Sequence, residues 1–348
     1  MLARPFRHTL EINVAGLYHN ALQVVRGFLV NEQAAHITEL EYGISAIDAD
    51  YVRPLFDAIH LIIQDGRAAF VDTGTNYSVP LMLDTLDRKD IGPAEVDYVF
   101  LTHVHLDHAG GAGALMQHLP NAKAVIHPRG AAHMVDPVKL VAGAQAVYGK
   151  DRCQELYGEP VPIDERRVVV ASDEQVVDFR GRPLQCIFTE GHARHHYCLA
   201  DPASKGVFTG DSFGVSYREL DTGKGEFIFP TTTPIHFDPP EAHKAIDRIM
   251  ALQPNALYLT HYSLVTDLAR LADDMHLRLD DFVAIADQHA NDNNRTVAMR
   301  KTIFEYFVEQ LDAHGFRADE ERLHAILDKD VELNTMGIEY WLDHIAAI

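Results

Sequence analysis

Cysteine is scarce in this chain: Cys153, Cys186 and Cys198 are the three in 348 residues, an odd number with none spaced for zinc. A disulfide framework and a cysteine-based zinc module are both excluded, and a chain of this length needs no covalent staples. Reducing surroundings are expected. Long apolar runs are missing as well. The opening MLARPFRHTLEIN offers no signal-peptide core, and no uncharged apolar run reaches the roughly 18 residues of a membrane span. The expectation is a cytoplasmic protein with no membrane partner. Basic side chains are outnumbered, 30 Lys and Arg against 51 Asp and Glu, for a formal net charge of −21 with no Lys/Arg-rich run. A phosphate backbone would be repelled, which excludes a nucleic-acid polymer as partner. Most of this acidity reads as a solubilising surface, and part of it suits a cleft that binds cations.

What is present is ordinary for a globular enzyme: 47% apolar residues, 22 Gly and 16 Pro, with no internal repeat. Up to about residue 235 the chain is built of short β-branched and aromatic runs cut by Gly, Pro and Asp. Leu61–Ile63, Ala69–Val71, Tyr98–Leu101, Val125–Ile126, Val168–Val170, Cys186–Phe188 and Val207–Thr209 read as strands. Helical stretches fall between them at 77–88, 109–118 and 129–147, an alternation that gives an α/β class with helices outside sheet. From Pro239 the pattern becomes helical, interrupted by a last strand at Asn255–Leu259. Beyond it Leu264, Leu268, Leu271, Met275, Leu279, Phe282 and Ile285 share one stripe, Ile303, Phe307 and Leu311 a second, and Leu323, Ile326 and Leu327 a third. Two domains are expected, 1–262 carrying the chemistry and 263–348 a helical subdomain packed on it. That tail is read as packing, as a lid on the cleft, or as a homodimer surface.

The strongest local signal is His103-Val104-His105-Leu106-Asp107-His108, directly after the strand ending at Leu101 and followed by Ala109-Gly110-Gly111. Imidazole and carboxylate are the donors that borderline divalent cations prefer, and four of them in six residues converge only at a tight strand-to-helix turn. Three more strands run into a candidate donor: Cys186–Phe188 toward Gly191-His192, Val207–Thr209 into Gly210-Asp211, and Leu257–Leu259 into Thr260-His261. Ligand-bearing loops at the same ends of neighbouring strands form one cleft.

The HxHxDH run followed by GH, GD and a late TH resembles the metallo-β-lactamase superfamily, in its glyoxalase II-like and lactonase-like branches, over roughly residues 25–262. The resemblance implies an αβ/βα four-layer sandwich with a C-terminal helical extension. It also implies that His103, His105 and His192 hold one metal, Asp107, His108 and His261 a second, and that Asp211 bridges both. Asp72, in Phe70-Val71-Asp72-Thr73-Gly74, matches the family's strand-end DTG, where it orients a ligand imidazole from behind or simply forms the turn. Zinc is the expected metal, with iron or manganese suited to the same donors. An iron dioxygenase branch keeps most of these residues, but the full second trio favours two metals and hydrolysis.

Two dications a few Å apart would share a water and lower its pKa toward neutrality, with Asp107 orienting the nucleophile and passing its proton on. The chain departs from many relatives after His192, reading Ala193-Arg194-His195-His196 where they carry a Thr-Pro-Gly-type turn. Arg194, His195 and His196 are candidates to touch substrate there. Tyr217 and Phe213 occupy the stretch where lactonase-like relatives bring aromatics to substrate, Tyr217 as a carbonyl polariser and Phe213 as wall. Phe227 to Phe237, with Thr231-Thr232-Thr233-Pro234, reads as a loop over the cleft or an edge connection. The expected reaction is hydrolysis of a small ester-like bond, a thioester or lactone. The alternatives are a phosphodiesterase on a small nucleotide and a metal-binding effector protein; a β-lactamase proper is disfavoured by the missing signal peptide.

Overall fold

The computed structural model describes residues 34–232 and 237–344. The reading of the opening thirteen residues, the first part of the family resemblance, Thr233-Pro234 and the last four residues of the helical tail lie outside the described residues. The first sheet has seven strands in chain order: β1 Ile37–Glu39, β2 Ile44–Asp48, β3 Ala58–Gln64, β4 Arg67–Val71, β5 Val96–Leu101, β6 Lys123–Ile126 and β7 Val168–Val170. Strands β1 to β4 are antiparallel, and β4 to β7 are parallel. The second sheet holds β8 Val176–Phe179, β9 Arg182–Phe188, β10 Tyr197–Asp201, β11 Gly206–Gly210, β12 Ala256–Leu259 and β13 Ser263–Val265, in the reverse spatial order β13 to β8.

The sheets face each other because each strand sends alternate apolar residues inward. Ile62, Val71, Phe100 and Val125 from the first meet Phe179, Leu184, Tyr197 and Phe208 from the second in one buried cluster. Tyr197 crosses the interface, its hydroxyl donating to the Val125 carbonyl at 2.8 Å. The opposite faces are covered by helices, including α1 Val79–Arg88, α2 Leu106–Ala109, α3 Ala112–His118, α4 Pro128–Val135, α5 Val138–Tyr148, α6 Lys150–Tyr157 and α7 Pro239–Ala251. This is the four-layer αβ/βα arrangement, followed by the C-terminal helices α8 Leu268–His289, α9 Arg295–His314 and α10 Glu320–His344. From Ala35 onward the described chain is one compact unit. No helix among the described residues is long and apolar enough to cross a membrane.

Three local expectations need correction. The helix expected over 129–147 is two helices, α4 and α5, because Asp136 precedes Pro137 and is driven to φ −132° and ψ 93°. Leu264 is not part of the tail's first helical stripe: it pairs with Tyr258 in β13, and the helix starts at Leu268. Strands β1, β2, β8 and β10 are also present; none was assigned from the sequence. The remaining tail residues are buried as the stripes require except Leu323, which is half-buried, and Leu271, Phe282, Ile303 and Phe307 are fully enclosed.

Candidate metal centre

Strand direction brings the donors together. β9 is antiparallel to β10 and β10 to β11, while β11 runs parallel to β12, so β9, β11 and β12 all point the same way. His192, Asp211 and His261 follow their C-terminal ends. Across the sandwich, β4 and β5 are parallel and end at Asp72 and at the loop carrying His103 to His108. Close approach makes two glycines necessary: a Cβ at Gly111 would lie 2.6 Å from the Thr75 carbonyl oxygen, and one at Gly210 (φ +49°) 2.5 Å from His196 Nε2.

The donors form two triads with a carboxylate between them. His103 Nε2 lies 2.8 Å from His105 Nδ1, which is 3.2 Å from His192 Nε2. Asp107 Oδ2 lies 4.0 Å from both His108 Nε2 and His261 Nε2. Asp211 stands between, Oδ2 at 3.3 Å from His192 Nε2 and Oδ1 at 3.3 Å from His108 Nε2 and 3.7 Å from His261 Nε2. Donors at about 2.1 Å from a tetrahedral ion are about 3.4 Å apart, a spacing that the 2.8 to 4.0 Å found here brackets.

Four of the five imidazoles are fixed from behind, while His105 turns its Nδ1 toward His103 and His192. His261 Nδ1 donates to the Phe56 carbonyl at 2.7 Å, His192 Nδ1 to the Thr231 carbonyl at 3.2 Å, and His108 Nδ1 to Asp72 Oδ2 at 3.0 Å. His103 Nδ1 lies 3.1 Å from the Thr102 hydroxyl, whose own proton goes to Asp72. These bonds select tautomers whose Nε2 lone pairs aim inward. Burial, then neighbouring imidazoles, push His103 and His105 well below the usual histidine range, so both offer lone pairs at neutral pH. Burial opposes the charged forms of His108 and Asp211, yet the carboxylates of Asp211 and Asp107 hold His108 well above its usual value, and His108, His192 and His261 hold Asp211 well below its own. His108 Nε2 and Asp211 Oδ1 are buried, face each other, and make no hydrogen bond. Two buried orphan atoms amid converging lone pairs fit borderline divalent cations.

Asp72 ties the ligand loops together. Its carboxylate accepts from the Thr102 N–H at 2.8 Å, the Thr102 hydroxyl at 2.8 Å, the Thr260 hydroxyl at 3.2 Å and His108. The donor triads open on a cleft of about 250 Å³. Tyr217 and His195 line it; Arg194 and Phe213 are not among its lining residues. Arg194 is exposed, with its carbonyl accepting from Arg129, and Phe213 is sealed in the apolar core. His196 faces inward too: its Nε2 accepts from the Asp211 N–H at 3.2 Å, so it holds a ligand backbone rather than facing the cleft.

Sequence reasoning missed several groups. Asp57, beside Phe56, is fully buried with both oxygens unpartnered, and burial drives its carboxyl well above the usual range. Asn334 of α10 accepts the Thr232 N–H at 2.7 Å, pinning the segment whose Thr231 carbonyl orients His192. Asp330, one turn earlier, lines the cleft. A signal existed: Ile326, Asp330, Asn334 and Ile338 recur every fourth residue, which sets two polar groups on a buried face.

Residues 52–261 match the metallo-beta-lactamase superfamily, and the chain belongs to it. It is 26% identical over 228 residues to the metallo-beta-lactamase fold-containing protein ST1585 of Sulfurisphaera tokodaii, covering 64% of this chain and 80% of that one. It is 25% identical over 211 residues to a hydroxyacylglutathione hydrolase of Aeromonas salmonicida, 60% of this chain and 63% of that one. An atrochrysone carboxyl ACP thioesterase of Aspergillus fumigatus matches over 117 residues at 27% identity, 34% of this chain and 27% of that one. The solved structure of ST1585 superposes with a TM-score of 0.61 at 22% identity, over 85% of this chain and 98% of that one. Protein TTHA1429 of Thermus thermophilus gives 0.60 at 16% identity, over 88% and 94%.

Proposed function

We propose that this chain is a dinuclear metal-dependent hydrolase, with zinc the metal its donors suit best, that cleaves a small ester-like bond, a thioester or lactone. The observation that carries the reading is the pair of triads sharing Asp211 at the floor of one cleft. In this assignment His103, His105 and His192 hold one ion, Asp107, His108 and His261 the other, and Asp211 touches both. Bound there, two dications would supply a nucleophilic water at neutral pH and an electrophilic pole for an acyl oxygen.

The chain's own residues do the rest. Asp107, partly exposed where His108 beside it is fully buried, accepts the proton of the attacking water and returns it to the leaving group. Asp72 keeps His108 in the tautomer that turns Nε2 inward, and His196 holds the Asp211 backbone. The Tyr217 proton is engaged by Asp330, which argues against Tyr217 as the carbonyl polariser. Residues 1–262 carry this chemistry, and 263–348 add the far wall of the cleft.

Two features support an acyl substrate over a nucleotide. The helix α5 that walls the cleft is largely apolar, with Leu140, Ala144 and Val147 half-buried against it and Lys139 as its one charged lining residue. Two of the relatives are a hydroxyacylglutathione hydrolase and an ACP thioesterase. All three cysteines are free and buried, in keeping with a cytoplasmic setting. The test is metal analysis together with turnover of thioesters, lactones and a chromogenic phosphodiester by the same preparation. Two ions per chain and metal-dependent acyl hydrolysis are expected. No more than one ion after reconstitution, or faster phosphodiester cleavage, would reject the proposal.

A further inference from the structure

Helix α10 carries a carboxyl to the cleft for which the reaction above has no use. Asp330 is 4% exposed, yet it lines the cleft together with Leu333 from the next turn. Among the described residues its one hydrogen-bond partner is Tyr217, whose hydroxyl lies 3.1 Å from Oδ1 and 3.2 Å from Oδ2. That hydroxyl has a single proton, whereas an ionised carboxylate accepts about four hydrogen bonds. A buried carboxylate with one donor is short of partners, and the missing donor must come from the cleft.

The surroundings say what kind of donor. Arg53 holds its guanidinium 4.3 Å from the Tyr217 ring centre, and Lys329, adjacent in sequence, lies 4.8 Å from the Tyr148 ring centre. Neither cation forms an ion pair with Asp330: Arg53 is paired with Glu219, and Lys329 with Glu332 at 3.6 Å. Both act on the carboxylate from a distance and leave its close hydrogen-bonding positions to a donor from the cleft, where a hydroxyl costs less to bury than an ammonium. Burial pushes the Asp330 carboxyl up to about 6, which leaves it ionised and accepting at neutral pH. The same cleft is lined by Leu140, Ala144 and Val147 of α5, which suit a hydrocarbon chain, with Lys139 at the start of that helix.

We propose that Asp330 is a specificity-determining residue that receives a hydroxyl on the acyl chain of the substrate, so that hydroxyacyl compounds are preferred over their unsubstituted counterparts. The inference rests on the acyl-hydrolase reading for its reaction, but not for its binding. Residue 330 lies outside the segment 52–261 that matches the family, in the C-terminal helices.

The experiment compares N-acetylcysteamine thioesters of 3-hydroxyoctanoate and octanoate on metal-loaded wild type, Asp330→Ala, Asp330→Asn and Tyr217→Phe. The wild type should favour the hydroxyacyl thioester in kcat/KM by roughly 10- to 100-fold, the range of a hydrogen bond to a charged acceptor. Asp330→Ala should bring that ratio close to one. Tyr217→Phe should keep or raise it, because a competing donor is gone. If Asp330 merely anchors Tyr217, the two variants will change the ratio alike, and the proposal is overturned. Binding of the uncleavable 4-hydroxynonan-2-one and nonan-2-one, followed by saturation-transfer NMR, separates this from failure of the hydrolase reading. A hydroxyketone preference lost in Asp330→Ala supports the assignment even if neither thioester is cleaved. Equal binding of the ketones to wild type, or a preference that survives in both Asp330 variants, refutes it. Asp330→Asn, nearly isosteric, gives the reading should Asp330→Ala not fold.

Discussion

Replacing Asp72 by Asn tests whether the ligand loops are held from behind by one carboxylate. Oδ1 takes the Thr102 N–H at 2.8 Å; Oδ2 faces His108 Nδ1 at 3.0 Å, the Thr102 hydroxyl at 2.8 Å and the Thr260 hydroxyl at 3.2 Å. Asn has one acceptor oxygen, and its least costly orientation puts that oxygen on the Oδ2 side. The amide NH₂ then meets the Thr102 N–H, leaving a buried donor without a partner at about 1–3 kcal/mol. The three bonds on the other side lose their charged acceptor, at roughly 0.5–1 kcal/mol each. Together these give about 3–5 kcal/mol of lost stability in metal-free protein, measurable by urea unfolding. The His108 ring also loses its carboxylate partner, so affinity for the metal held by Asp107, His108 and His261 should fall by roughly 10- to 100-fold in a chelator-competition titration. Asp72 has φ +59°, which Asn tolerates, so backbone strain adds little. Stability within about 0.5 kcal/mol of wild type and metal affinity within about twofold, thresholds well below these effects, would refute the reasoning.

Other perturbations separate the remaining roles. Asp107→Asn should cut hydrolytic turnover by about 10² or more while keeping much of the first metal; a fully metallated variant of near-normal rate would leave Asp107 only its place as an acidic residue in the first turn of α2. His261→Ala should weaken mainly one ion and Asp211→Ala both, since the Asp211 oxygens face His192 on one side and His108 and His261 on the other; equal losses in metal titration would reject that division. His60, buried between the sheets against Phe208, is pushed by burial from 6.5 down to about 3. The unfolded chain therefore takes up a proton below pH 6.5 that the native state refuses, and stability present above 6.5 is lost as the pH falls toward 3. Between about pH 6.5 and pH 5 this amounts to about 2 kcal/mol. Urea unfolding at both pH values should show His60→Leu losing correspondingly less than wild type, and equal losses would exclude His60 as the cause.

The cluster of candidate donors was legible in the sequence because such side chains at strand ends are a local feature. His103 to His108 follow the apolar run of β5, while His192, Asp211 and His261 follow β9, β11 and β12. Each strand announces itself by β-branched and aromatic residues and each donor by its position just past a Gly or Thr. The family resemblance grouped the donors, a grouping that composition and spacing alone leave open. Strand β10 escaped notice because Tyr-Cys-Leu-Ala-Asp is buried throughout and shows no alternation to read. The break between α4 and α5 was written in Asp136-Pro137, but the apolar residues on either side hid it.

By itself, then, the sequence determined the layers, the strand termini and the chemistry of the donors, since these depend on residues a few positions apart. The tertiary structure decided what faces the donors across the cleft. Tyr217 and Asp330 are 113 residues apart and meet only because α10 folds back over the loop after β11. The helical stripe in α10 foretold that one face would be buried, but a stripe carries no information about its partner. Which apolar surface it finds is settled by the packing of the whole domain, and with it which polar group, Asp330 or Asn334, reaches the site.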